Sequence, residues 1–286
     1  MIPVYKGKRK GILVVSGGGT KGLAGLGAIK KLMEEKIIVQ PDILCGTSAG
    51  AMICMLLNIG YHPEEIYYFL LNIDFTSLVT FKLEDLFDDV HFGINSPEPF
   101  GYVLKKLMEG KNINSKITFK ELKEKTNQTL IITGTCLNTM SLHYFSANDT
   151  PDDFVLDAVQ ISIAMPIIFK PHKYKDKIWI DGGCVNNYPI DLFHTCLDDV
   201  IGIYLDDECI EYQKFDDVQT YLLQIFKCII KGTNITKIEF YKKHTIHIEC
   251  INGVSTNFEM TSEQKEYLFK QGYDKATQYI TNQSNV

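Results

Sequence analysis

DILCGTSAGAM, residues 42–52, passes through three kinds of local chemistry. Asp42-Ile43-Leu44-Cys45 is an apolar run short enough for a buried strand. Gly46-Thr47-Ser48-Ala49-Gly50 is a Gly-x-Ser-x-Gly turn, and Ala49 to Asn58 continues as an apolar stretch with the length of a buried helix. A serine at such a turn has its hydroxyl clear of the backbone and near the positive end of the helix. The same order recurs upstream. Lys10 to Ser16 (KGILVVS) reads as a buried parallel strand. Gly17-Gly18-Gly19-Thr20-Lys21-Gly22 then leads into Leu23, Leu26, Ile29, Leu32 and Met33 at helical spacing. Gly25 and Gly27 weaken that helix by up to about 1 kcal/mol each relative to alanine. Their expected use is close approach of the helix to the sheet.

Further strands are expected at Thr129 to Cys136 (TLIITGTC), Ser141 to Phe145, Lys177 to Ile180, Val200 to Leu205 and near 244–250. Spacing predicts helices near 63–72, 98–109, 152–164 (with Asp152 as N-cap), 216–231 and 262–281. In 216–231, Val218, Tyr221, Leu222, Ile225, Phe226 and Ile229 form a helical stripe of the kind normally buried against its own domain. Strands alternating with helices specify an α/β layered fold. No repeat or long linker demands a second domain. The reading is a core over 10–205 and an extension over 206–286, packed on the same domain and without an assigned role.

The chain has 286 residues, 45% of them hydrophobic, enough for a sizeable core. Its net charge of −6 argues against a nucleic-acid binder. The N-terminal residues lack the apolar stretch of a secretory signal, and no run approaches a bilayer span, so the expectation is an intracellular protein, peripheral at membranes if it meets them. Eight cysteines without a Cys-x-x-Cys pair indicate neither a zinc site nor a disulfide scaffold. Nothing in the sequence specifies an oligomeric state.

The candidate chemistry centres on Ser48. Gly17 to Gly22 also fits Gly-x-Gly-x-x-Gly, the dinucleotide-binding fingerprint, which expects an acidic residue at the end of the second strand. Asp42 has the right separation but starts its strand, and the strand ends at the serine turn instead. Beside a serine nucleophile the glycine loop has a better use, because N–H groups at a helix start stabilise an oxyanion. Lys21 adds positive charge there. A carboxylate stands at the end of another apolar strand in Asp181-Gly182-Gly183, where the glycines leave it open. A Ser…Asp…His triad can be drawn from Ser48, Asp181 and His194, His244 or His247, though none of these histidines sits among clustered glycines.

Four segments, SGGGTKGLAGLGAIKKL (16–32), DILCGTSAGAM (42–52), AVQISIAMPIIFKP (158–171) and WIDGGCVNNYPI (179–190), together resemble the patatin-like phospholipases. The resemblance covers about residues 10–205. It implies a three-layer fold with a central, mostly parallel sheet between helices. It also implies a Ser–Asp dyad without histidine: Ser48 as nucleophile, Asp181 as base, and Gly17, Gly18 and Gly19 as the oxyanion loop. Asn187 and Pro189 match positions that shape the turn after the aspartate. The implied activity is hydrolysis of lipid acyl esters, of phospholipase A or lysophospholipase type, needing no metal or cofactor. A non-phospholipid esterase and a silent lipid-binding or partner-binding protein are the alternatives. The partner expected is a lipid or a membrane surface. Lys21, Lys173 and Lys175 are candidate headgroup contacts, Lys6 to Lys10 forms a second basic cluster, and the aromatic-rich 62–100 stretch is a candidate lid.

Overall fold

Alternate residues of the first strand face two separate cores, Leu13 and Val15 toward one, Ile12 and Val14 toward the other. A strand buried on both faces must be uniformly apolar, which is why this one reads as a run rather than an alternation. The computed structural model describes residues 9–74, 76, 98–207, 218–250 and 259–284. In chain order its elements are β1 (Ile12–Val15), α1 (Gly22–Glu34), β2 (Ile43–Gly46), α2 (Ala49–Asn58), α3 (Pro63–Asn72), α4 (Glu98–Gly110) and α5 (Phe119–Thr126). Then come β3 (Thr129–Cys136), β4 (Ser141–Ser146), α6 (Val155–Ser162), β5 (His172–Tyr174), β6 (Lys177–Asp181) and α7 (Gly183–Asn186). Last are β7 (Val200–Asp207), α8 (Val218–Tyr241), β8 (Thr245–Cys250) and α9 (Ser262–Ser284).

The sheet runs β5-β6-β3-β2-β1-β7-β8, with β4 also paired to β3. β1, β2, β3, β7 and β8 are parallel, while β4 and β6 run antiparallel to β3 and β5 antiparallel to β6. The registers along β3 decide where the ends of strands meet. β2 lies along Thr129 to Ile132, β4 along Ile131 to Cys136, and β6 along Gly134 to Cys136. β4 overlaps both of the others, so β2 and β6 must share the opposite edge of β3. They approach head to head. Gly46 is paired with Ile132 and Asp181 with Gly134, a gap of about 7 Å along the strand.

Several expectations change. Between 150 and 155 the chain bridges to the segment before α5: Phe119 N–H donates to Asp153 O, and Val155 N–H to Ile117 O. Helix α6 therefore starts at Val155 behind Phe154, and Asp152 is not its cap. β5 was not anticipated. Lys175 and Asp176 form a two-residue hairpin loop at positive φ, without the Asn-Gly or Asp-Gly that usually signals one. α5 was missed although Thr118 and Glu121 form a full capping box. The residues after 206 add a strand to the sheet and a helix against α1. Phe75, Phe81, Phe87 and Phe92 of the candidate lid, with Lys6 and Lys8, lie outside the described residues.

The two glycines of α1 serve different neighbours. A Cβ on Gly27 would sit 1.9 Å from Phe269 O of α9, and one on Gly272 of α9 would sit 1.8 Å from Ala24 O. The close approach is thus helix to helix. At Gly25 a Cβ would meet only side-chain atoms of Leu205 and Ile53, at 3.7 Å and beyond, ordinary contacts. Gly25→Ala should accordingly leave stability unchanged or raise it by up to about 1 kcal/mol. Gly27→Ala should lower it by about 1–3 kcal/mol. Urea unfolding of the two variants side by side checks this pair, and equal effects would mean that α1 and α9 are not interlocked.

Candidate active site

Ser48 caps α2 with φ 54° and ψ −122°, a conformation that strains any residue with a side chain. Surrounding bonds hold it there. Ser48 N–H donates to Ser162 Oγ at 2.9 Å, Met52 N–H to Ser48 O at 3.2 Å, and Gly50 N–H to Thr47 O at 2.8 Å. The flanking glycines are fixed by contact: a Cβ on Gly46 would lie 2.4 Å from Gly50 O, and one on Gly50 2.3 Å from Val15 O. The turn therefore packs backbone on backbone.

Asp181 ends β6 only 4% exposed. Its N–H donates to Ala164 O at 2.9 Å, and Thr135 Oγ1 donates to its carbonyl at 3.0 Å. Burial pushes its carboxyl up to about 7, against the opposing pull of hydrogen bonds from the Ser48 side chain and from Gly183 N–H, the latter 2.7 Å from Oδ1. Ser48 and Asp181 thus lie close enough for the Ser48 side chain to favour the ionised carboxyl.

The join between them is a chain of buried hydroxyls. Thr133 occupies the β3 position between the ends of β2 and β6, and its Oγ1 donates to Thr47 Oγ1 at 2.8 Å. Thr47 Oγ1 donates onward to Asn186 O at 3.3 Å. Gly182 crosses so close to Thr133 that a Cβ there would fall 2.1 Å from Oγ1. Sequence reasoning passed over Thr47, Thr133 and Ser162. A threonine inside the apolar run TLIITGTC was the available signal, because a buried hydroxyl needs a partner.

The glycine loop is clamped by the turn after Asp181. Gly17 N–H donates to Asn187 O at 3.1 Å, and Asn187 Nδ2 donates to Gly17 O at 3.2 Å. Gly17 N–H is therefore occupied, which narrows the three expected oxyanion donors to two. Gly18 and Gly19 N–H have no acceptor among the described residues, and Gly19 adopts φ 55°. Leu205 crowds Gly18, with a Cβ there 2.9 Å from its side chain.

The lysine expectations do not hold together. Lys21 is buried, with Nζ 3.0 Å from Asp207 Oδ1 and donating to Leu205 O, so it presents no charge to a headgroup. Lys175 is a turn residue paired with Asp153, at the hairpin tip beyond Lys177, which is itself four positions or about 13 Å back along β6 from Asp181. Lys173 is exposed on β5 opposite Ile178, three positions or about 10 Å from Asp181 along β6. Among the histidines, His247 Nε2 pairs with Asp206 and His194 Nδ1 with Asp191 O. His244 precedes β8, at the N-terminal end of a strand parallel to β1, whereas Ser48 follows the C-terminal end of β2. The acidic residue that a dinucleotide site would need at the end of β2 is replaced by Gly46 and the serine turn.

Comparison with known proteins fits this arrangement. The family model for patatin-like phospholipases matches residues 13–194. The chain belongs to that family. This patatin-like chain is 38% identical over 183 residues to a protein named probable lipid hydrolase 463L from Invertebrate iridescent virus 6, an alignment covering 63% of this chain and 62% of the viral one. A 69-residue stretch is 39% identical to calcium-independent phospholipase A2-gamma of Rattus norvegicus, covering 22% of this chain and 9% of that enzyme. The solved structure of VipD from Legionella pneumophila superposes with a TM-score of 0.62 at 20% identity, over 96% of this chain and 67% of VipD. At that identity the likeness is one of fold: a mixed, mostly parallel sheet flanked by helices.

The raised carboxyl has a consequence for stability. Folded Asp181 keeps its proton up to about pH 7, while an unfolded aspartate loses it near pH 4. Between those values the folded state binds more protons, so this group's contribution falls as pH rises and is lost above about 7. The total is on the order of 4 kcal/mol. Asp181→Asn should therefore be more stable than the parent at pH 8 and nearly equal to it at pH 4. Thermal melts of the two proteins across pH 4–8 test this, and a variant less stable at pH 8 would contradict the buried, desolvated carboxylate.

Proposed function

We propose that the protein is a serine hydrolase of lipid acyl esters working through a Ser48–Asp181 dyad. The observation that carries this reading is a strained serine whose side chain acts on a buried carboxyl near pKa 7, beside two uncommitted N–H groups. A base with that pKa is half ionised at neutral pH and well matched to proton transfer.

In the first half-reaction Asp181 accepts the Ser48 proton as Oγ bonds to the ester carbonyl carbon, and the carbonyl π-electrons move to oxygen. The N–H groups of Gly18 and Gly19 hold that oxyanion, each donor contributing on the order of 3 kcal/mol to the transition state. The positive end of α2 acts in the same sense. Collapse of the intermediate breaks the acyl C–O bond, and the Asp181 proton passes to the departing alkoxide. Water then repeats the sequence on the acyl-serine, giving Asp181 a proton, releasing the fatty acid and restoring Ser48. Every proton is accounted for by Asp181. The names of the relatives and of the family support a lipid as the acyl donor, with glycerophospholipid the substrate proposed.

Fatty-acid release from mixed phospholipid vesicles, followed by mass spectrometry, tests the reading. Ser48→Ala and Asp181→Asn should each lower turnover by about a thousandfold or more, and a fluorophosphonate should label the parent protein at Ser48. Turnover within a few-fold of the parent in either variant would refute the dyad. In the parent, kcat/KM should climb about tenfold per pH unit on the acid side and level off above about pH 7, as Asp181 ionises. A plateau extending below pH 5 would remove Asp181 as the base.

A further inference from the structure

The stripe on α8 is not buried against the domain. Val218 is 60% exposed, Tyr221 52%, Ile225 40%, Ile229 50% and Phe240 75%. Spacings of three, four and four positions keep the first four on one face of the helix, over about 17 Å, with Phe240 three turns farther on. Phe226, Asn234 and Tyr241 are packed in, with Leu222 and Leu223 partly covered. Scattered exposed apolar residues need no explanation, but four in succession along one helical face do.

Charge distinguishes what it fits. Residues 218–244 contain five lysines and one glutamate in a chain of net charge −6, with no acidic residue between Asp217 and Glu239. Lys227 reaches toward Asp207 and Lys237 pairs with Asp191, fastening the helix to the body. Lys231 and Lys243 are exposed. Two copies packed through this face would bring lysines against lysines, whereas an anionic surface neutralises them. Although α8 has 24 residues, no described helix is long and apolar enough to cross a membrane. An apolar face with basic residues outside it is the pattern of a helix that lies in a lipid interface.

Its attachments point toward Ser48. Leu223 packs on Ile168 and Phe169, in the loop that follows Ser162 and whose Ala164 O accepts the Asp181 N–H. Lys237 Nζ donates to Asn186 Oδ1 at 2.7 Å, in the turn just after Asp181. The helix is thus anchored on both segments that hold the dyad.

We propose that α8 seats the protein on a bilayer containing anionic lipid, its apolar face in the headgroup–acyl boundary, so that ester lipid enters beside Ser48. This rests on the lipid-hydrolase reading for its purpose but is tested separately from it. Binding is measured with the Ser48→Ala protein by co-sedimentation with phosphatidylcholine vesicles, with and without phosphatidylserine. Ile225→Gln/Ile229→Gln should weaken partition about tenfold or more. Lys231→Gln/Lys243→Gln should remove most of the gain from phosphatidylserine, on the order of tenfold, and added salt should do the same. In proteins retaining Ser48, both double variants should keep parent turnover on a soluble short-chain ester and lose it on vesicles. Unchanged vesicle binding by both variants would overturn the proposal. So would a concentration-dependent dimer in sedimentation equilibrium that the isoleucine substitutions dissociate, with no vesicle binding. If the parent binds vesicles through α8 yet releases no fatty acid from them, the docking surface stands and the hydrolase reading falls.

Discussion

The edge of β3 is shared by two strands arriving from opposite directions, and the rest of the site follows from that arrangement. β2 gives up the edge at Ile132 and β6 takes it at Gly134, so the turn leaving each is forced into the same small space. Thr133 stands between them and ties the Thr47 hydroxyl to the junction. A serine turn and an aspartate turn 133 positions apart in sequence thereby become neighbours without any dedicated loop to carry them. The positions of Ser48 and Asp181 are properties of backbone register, which is stiffer than any side-chain network.

Around this junction the structure concentrates costs that are met elsewhere. Ser48 holds a positive φ, worth about 1–3 kcal/mol of strain, and Asp181 is a nearly buried acid. Bonds from Ser162, Ala164, Thr135 and Gly183 surround the pair. These partners come from α6, β3 and the turn after β6, so the geometry is over-determined by several independent elements. Asn187 extends the same logic to the glycine loop by bonding both the N–H and the C=O of Gly17. Its use of the Gly17 N–H is what singles out the next two amides.

Much of this was legible before the structure. β1, β2, β3 and β7 are buried on both faces, and such strands announce themselves as apolar runs; the glycine-bounded turns at 17–22, 46–50 and 181–183 were equally plain. What escaped did so for physical reasons. β5 is three residues, His172 to Tyr174, with a Lys-Asp loop, and it is ordered by pairing with β6 rather than by its own propensity. α6 lost its first turn to a tertiary bridge with the segment before α5. Lys21 gave no local sign of burial, since its partner Asp207 lies at the far end of the chain's seventh strand. The exposed stripe of α8 has the same spacing as a buried one; periodicity reports that a face is apolar, and not what covers it.

The interlock of Gly27 with α9 also sets a timetable. Tyr273 Oη donates to Glu34 Oε2 across 239 positions of sequence, and α1 lies under the last described helix of the chain. Contacts between such remote partners close late and slowly. On a ribosome, α1 emerges before α9 and waits, its packing surface uncovered, until α9 has been synthesised. A chain made only as far as α8 therefore carries the glycine loop and the serine turn on an unsealed scaffold, and completion of the junction around Ser48 and Asp181 is deferred until α9 has been made.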